Sequence, residues 1–226
     1  MLATYNVNLV TPEHVVPQVA LSILHAKELG LRLPIVYNTS SFDSLASIEL
    51  MDGLVDIFLP DFKVWNQSTS KRLLKADNYA EVAMESIKAM HAQVGDLCFT
   101  ADGMARKGVL LRHLVMPGHE EEGKHIVRWL AENVSKDLYV HVMEQYHPRA
   151  HVGKGRRTTS GRAKDVADDV VDPGGEPAGA EVKKQVRYEE INRPVSHAEV
   201  DSVKKAAEQA GLWRFVEVAE HGGFNL

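Results

Sequence analysis

Residues 55–63 read VDIFLPDFK. Five of the first six are apolar, and Val55 and Ile57 are β-branched, which predicts a strand buried on both faces, as in a parallel sheet. Pro60 ends the ladder. Asp61 and Lys63 follow it, and on an extended backbone two residues apart their side chains point the same way. In α/β folds ligands bind at the carboxyl ends of the strands. An acid and a base at that edge are therefore candidate site residues.

Upstream, residues 5–10 (YNVNLV) predict a strand, and Thr11-Pro12 the cap and first position of a helix that Gly30 closes. Pro17 delays its regular part to about Val16. Residues 34–37 predict a second strand, ending in Asn38-Thr39-Ser40-Ser41, and residues 44–51 a short helix. Downstream, Asn78 with Glu81 forms a capping-box pattern for a helix that Gly95 ends. Asp102-Gly103 is the turn of a small hairpin. Residues 109–116 (VLLRHLVM) predict a strand carrying Arg112 and His113. A helix with Glu120, Glu121 and Glu122 at its positive end follows, and then a strand over 138–143 running into Glu144-Gln145-Tyr146-His147-Pro148. Ser196 and Glu199 form a second capping box ahead of a helix closed by Gly211, and residues 213–218 predict a last strand. The repeating βα order predicts a parallel α/β sheet, open or closed into a barrel.

Residues 149–185 contain no aromatic side chain and are rich in Gly, Ala and Pro, with a basic half before an acidic one. Such a stretch buries too little apolar surface to order itself. The expected organisation is a domain over 1–148, a disordered insertion over 149–187, and a helix and strand over 188–226 that complete the domain. The KGRR run at 154–157 reads as a solvated loop.

The chain has 226 residues, 44% hydrophobic and 25% charged, with a formal net charge of -5. That balance gives no reason to expect a nucleic acid or a membrane as partner. No apolar run approaches the roughly 18 residues that span a bilayer, and the amino terminus has no leader-like pattern, so a cytoplasmic location is expected. One cysteine, Cys98, excludes an internal disulfide and any cluster or zinc site built from several thiolates of this chain. It reads as a packing residue. His141, His147 and His151 lack metal-ligand spacing, so no metal site is expected. Ser40 and Ser41 lack a nucleophile elbow.

A parallel sheet brings its strand ends to one rim. Here that rim would carry Asn38, Asp61, Lys63, Arg112 and Tyr146. An amide, a carboxylate, an ammonium and a guanidinium together suit a zwitterionic ligand, whose amine and carboxylate need opposite partners.

The runs NVNLVTPEHVVPQ, LPIVYNTSSFDSL, DGLVDIFLPDFK, GVLLRHLVMPG, MEQYHP and YEEINRPVS, in that order, resemble the radical S-adenosylmethionine (SAM) proteins related to pyruvate formate-lyase activating enzyme. The resemblance covers nearly everything outside the 149–185 stretch and the tail. It implies an incomplete TIM-like (βα) barrel with SAM and a [4Fe–4S] cluster at the carboxyl ends of the strands. It also implies oxidoreductase chemistry, in which reductive cleavage of SAM yields a radical that acts on a glycyl-radical enzyme. Asp61 and Lys63 match the family's Asp-x-Lys beside the SAM methionine group. Arg112 matches a strand arginine near SAM, and Tyr146 with His147 matches the final strand end. Asn38 stands where activating enzymes carry an Asp. The family's Cys-x3-Cys-x2-Cys loop and its Gly-Gly-Glu-type segment have no counterpart in this sequence. The resemblance is thus to the carboxyl-terminal part of such a protein, and the chain alone is expected not to cleave SAM. A second reading is a non-catalytic half-barrel that docks through an exposed strand edge.

Overall fold

The computed structural model describes residues 4–154 and 186–216. The chain divides into two compact units, one of residues 1–146 and 195–226, the other of residues 147–194.

In the larger unit β1 (Val7–Val10), β2 (Ile35–Thr39), β3 (Ile57–Pro60), β5 (Ala105–Leu114), β6 (Tyr139–Met143) and β7 (Arg214–Phe215) form parallel pairs in the order β1-β2-β3-β5-β6-β7. The short strand β4 (Cys98–Phe99) pairs antiparallel with β5 off that path. The sheet is open, with β1 and β7 at its ends. This is the expected α/β class. The helices are α1 (Val16–Glu28), α2 (Leu45–Leu50), the one-turn α3 (Gln67–Thr69), α4 (Tyr79–Val94), α5 (Glu120–Asn133) and α6 (His197–Gln209). Among the described residues none is long and apolar enough to cross a membrane.

The two faces of the sheet differ. Ile35, Tyr37, Phe58, Val109, Leu111, Val140 and Val142 pack in one core with residues of α1, α2, α4, α5 and α6. The alternate residues Val36, Ile57 and Leu110 form a second, smaller cluster with Leu97, and among the described residues no helical one joins it. Strand alternation alone produces this split. The helices cover one face, and the other keeps a small apolar hollow lined by Val36, Ile57, Leu59, Leu110 and Tyr139, with Leu97 and Phe99 from the β4–β5 hairpin.

Several local expectations change. Thr11 does not cap a continuous helix: it is left-handed (φ 54°), Pro12–His14 makes a single 3-10 turn, and α1 starts at Val16, as Pro17 requires. Asn78 makes no side-chain cap, because its backbone (φ -119°, ψ 29°) is not in the extended conformation that aims a capping oxygen at the helix. Ser196 is extended (φ -88°, ψ 151°), and its capping box with Glu199 forms. β5 begins at Ala105, four residues before the expected start, because the hairpin pairs its first residues with β4. Cys98 is exposed on β4, not packed.

In the smaller unit, Arg187 bonds through its main chain to two residues: Gly153 N–H donates to Arg187 O (2.9 Å) and Arg187 N–H to Lys154 O (3.0 Å). A 3-10 turn, Glu189–Ile191, buries Ile191. Most of the expected 149–187 insertion, including residues 155–185, lies outside the described residues, as does the end of the expected last strand beyond 216.

Candidate functional site

Four of the five expected site residues join in one network. Asn38 is the penultimate residue of β2, Asp61 and Lys63 follow β3, and Arg112 lies on β5, and alternation sets Asn38, Asp61 and Arg112 on the face without helices. Asp61 pairs with Arg112 as an isolated parallel bridge just past β3. Arg112 Nε donates to Asp61 Oδ1 (2.7 Å), and its Nη2 donates to Asn38 Oδ1 (2.7 Å). Lys63 Nζ donates to Asp61 Oδ2 (2.8 Å). The Asp61 and Arg112 side chains are 17% and 22% exposed, and that of Lys63 36%. Each therefore still meets solvent.

The bond inventory is uneven. A guanidinium carries five N–H groups and an ammonium three. Arg112 spends two and Lys63 one, all on Asp61 and Asn38. Among the described residues, two positive charges face one negative charge, with five donors to spare. Donors of this kind are chemically suited to an anion held by several hydrogen bonds.

Tyr146, the fifth expected residue, is buried beyond the end of β6. The sequence reading passed over His141. It stands in direct register with Arg112 on β6 and is 7% exposed. Burial, the Arg112 charge and the Lys204 charge all lower its pKa, so it favours the neutral imidazole. Its signal was present: residue 141 alternates with Tyr139, which lines the helix-free face.

The helix-covered side supports the same strand ends. Tyr37 Oη donates to Asp43 Oδ1 (2.7 Å), and the Thr39 hydroxyl also donates to the Asp43 carboxylate. Asp43 is 3% exposed, and burial raises its pKa. This acid anchors the loop that leaves β2, in which Ser41 is left-handed (φ 64°).

Glu122 on α5 reaches the loop that leaves β3. It accepts from the main-chain N–H of Trp65 (2.7 Å) and Asn66 (2.8 Å), from Thr69 Oγ1 (2.6 Å), and pairs with His119 (3.1 Å). Burial alone would raise its pKa. The bonds from His119, Thr69, Asn66 and Trp65 outweigh burial and hold it at about 2, against an ordinary 4.5. On acidification the unfolded chain takes up this proton first, so the stabilisation is complete above about pH 4.5 and gone by about pH 2. At about 1.4 kcal/mol per pH unit, the carboxylate contributes about 3 kcal/mol at neutral pH. Urea unfolding from pH 6 to 2 should therefore show Glu122→Gln less stable at pH 6 and converging on the parent protein near pH 2. A parallel pair of curves would contradict this account.

The chain resembles known proteins in two ways. It is 27% identical over 172 residues to the uncharacterized protein MJ0674 of Methanocaldococcus jannaschii, a match that covers 76% of this chain and 39% of that protein. This chain therefore aligns with well under half of that relative. No family model matches the sequence. The fold matches a domain of pyruvate-formate lyase-activating enzyme from Bacteroides vulgatus with a TM-score of 0.56, at 10% identity, over 94% of this chain and 98% of that one. At that identity the likeness is one of fold, and it joins the open parallel sheet described above to the architecture of an activating-enzyme domain.

Proposed function

We propose that this chain is the SAM-facing part of a radical SAM protein of the activating-enzyme type, with Asp61 and Lys63 beside the methionine group of SAM and Asn38, Arg112 and Tyr146 as further cofactor-binding residues. The observation that carries the reading is the net-positive rim of Arg112, Lys63 and Asp61, with its five unspent donors, at the ends of adjacent parallel strands. The fold match and the six sequence runs support it.

The residues fit the cofactors unequally. For SAM, the rim offers N–H donors to a carboxylate, while the remaining lone pairs of Asp61 and Asn38 can accept from an ammonium. Arg112 would fix the carboxylate, Asn38 and Asp61 would hold Arg112 in line, and Lys63 would add charge. SAM bound here and reduced by one electron would supply a 5′-deoxyadenosyl radical, with methionine released. For a [4Fe–4S] cluster the described residues do not fit. Cys98 stands alone and exposed, and no group of three or more His, Cys, Asp or Glu is placed to hold a metal. The electron for SAM cleavage would come from a reduced cluster held by cysteines that this sequence does not contain, and the substrate would be a glycyl-radical protein or another protein chain.

Isothermal titration of the full chain with SAM tests the reading. Saturable binding in the micromolar range is expected, with methylthioadenosine, which lacks the amino-acid end, at least about tenfold weaker. No heat, or equal affinity for the two ligands, would overturn it. The docking-module reading would then gain ground, because β1 ends the sheet and Tyr5 and Val10 beside its edge are exposed.

A further inference from the structure

The segment from Asp61 to Asn66 follows β3 with no regular secondary structure, yet it presents two of the site residues. Side chains from three other elements bind its main chain. Tyr79, the first residue of α4, accepts from Lys63 N–H (3.0 Å), and its hydroxyl lies within donating distance of Asp61 O (2.8 Å) and Ser40 O (2.9 Å). His113 on β5 is buried, and its Nδ1 bonds Phe62 O (2.7 Å). Glu122 on α5 holds Trp65 and Asn66.

Of the three, only Tyr79 touches two strand ends at once, through Ser40 after β2 and through Asp61 and Lys63 after β3. Arg112 spans the same gap from the other side, between Asn38 and Asp61. We infer that Tyr79 is a positioning residue: its hydroxyl fixes the spacing of the β2 and β3 ends so that Asn38, Asp61 and Lys63 meet Arg112 in one ligand-ready arrangement.

The inference deepens the SAM-site reading above and rests on it for the ligand, but its geometry stands without one. Burial raises the phenol well above its ordinary pKa, so it stays protonated and able to donate. One proton serves two carbonyls, so the hydroxyl is at once acceptor and shared donor. The ring packs on Phe42 (5.9 Å) and Phe62 (6.4 Å), contacts that phenylalanine would keep.

Tyr79→Phe in the full chain separates positioning from packing. Hydrogen exchange at the Lys63 amide should quicken about tenfold or more, while α4 and the sheet keep their protection. The Kd for SAM should rise about tenfold with only a few degrees lost in Tm. Ile87→Val, which trims the buried core face of α4 and removes none of the hydrogen bonds that hold the segment after β3, should lower Tm comparably and leave the Kd unchanged. Unchanged exchange at Lys63 in folded Tyr79→Phe would overturn the inference, and so would a Kd that follows Tm equally in both variants. If the parent protein binds no SAM, the SAM reading falls, and the exchange measurement alone decides the role of Tyr79.

Discussion

Gly108→Ala is expected to yield no cooperatively folded protein. Gly108 has φ +127°, a conformation that L side chains rarely adopt. A Cβ there would collide with Leu97 Cα and lie 2.5 Å from Asp96 O. Both obstacles are main chain, so no rotamer change relieves them. The position is also pinned. Gly108 N–H donates to Asp56 O (2.9 Å), Gly108 pairs with Ile57 on β3, and the next residue, Val109, donates to Gly95 O (3.0 Å). Moving the glycine would break the junction of β3, β5 and the turn that enters β4. Positive-φ strain costs about 1–3 kcal/mol, and a backbone clash adds to it. The sum approaches the roughly 5–15 kcal/mol that stabilises a whole domain. Gly53→Ala is the control: φ is +72°, but nothing lies within 4 Å of the new methyl, so only the left-handed strain of about 1–2 kcal/mol is expected. Far-UV circular dichroism with thermal melting would separate the two. A Gly108→Ala protein that melts cooperatively within a few degrees of the parent would contradict the argument.

The same junction shows what the sequence could reveal. VDIFLPDFK predicts its strand and its charged end because apolar runs and Pro60 act locally, and the α/β class follows from the spacing of such runs. The rim network was legible for the same reason: Asn38, Asp61 and Lys63 lie at or just past strand ends, and Arg112 breaks an apolar strand. What could not be read depends on partners distant in sequence. Glu122 looked like one of three acids at a helix start, yet it binds a loop 56 and 57 residues away. Tyr79 looked like an ordinary residue beginning a helix, and only the fold brings it to Ser40 and Lys63. His141 was set aside with the other histidines because its register with Arg112 needs the β5–β6 pairing. Asn78 erred in the opposite direction: the pattern was right, but the backbone angle that makes a cap is set by where the preceding loop must go.

Arg112 carries the largest functional expectation. Arg112→Met keeps the aliphatic stem while removing the guanidinium, so β5 keeps its packing. Asp61 would retain Lys63 at 2.8 Å, but Asn38 Oδ1 would lose its donor at 2.7 Å. Because these side chains are partly exposed, the fold should lose only about 1–2 kcal/mol. Ligand binding should suffer more. The bound carboxylate would lose a charge-assisted, two-donor contact, worth about 3 kcal/mol or about a hundredfold in Kd for SAM. Arg112→Lys sharpens the claim. An ammonium is a point charge and cannot bridge Asp61 and Asn38 while still presenting a planar pair of donors. It should restore charge but not alignment, leaving affinity about tenfold below the parent. If charge alone mattered, lysine would bind as arginine does; if the rim were merely structural, both variants would bind SAM unchanged and differ only in melting temperature. Titration calorimetry beside thermal melts of the three proteins distinguishes these outcomes. The ranking arginine, lysine, methionine, in affinity but not in stability, is the signature of a guanidinium held in place by an acid and an amide in order to grip something else.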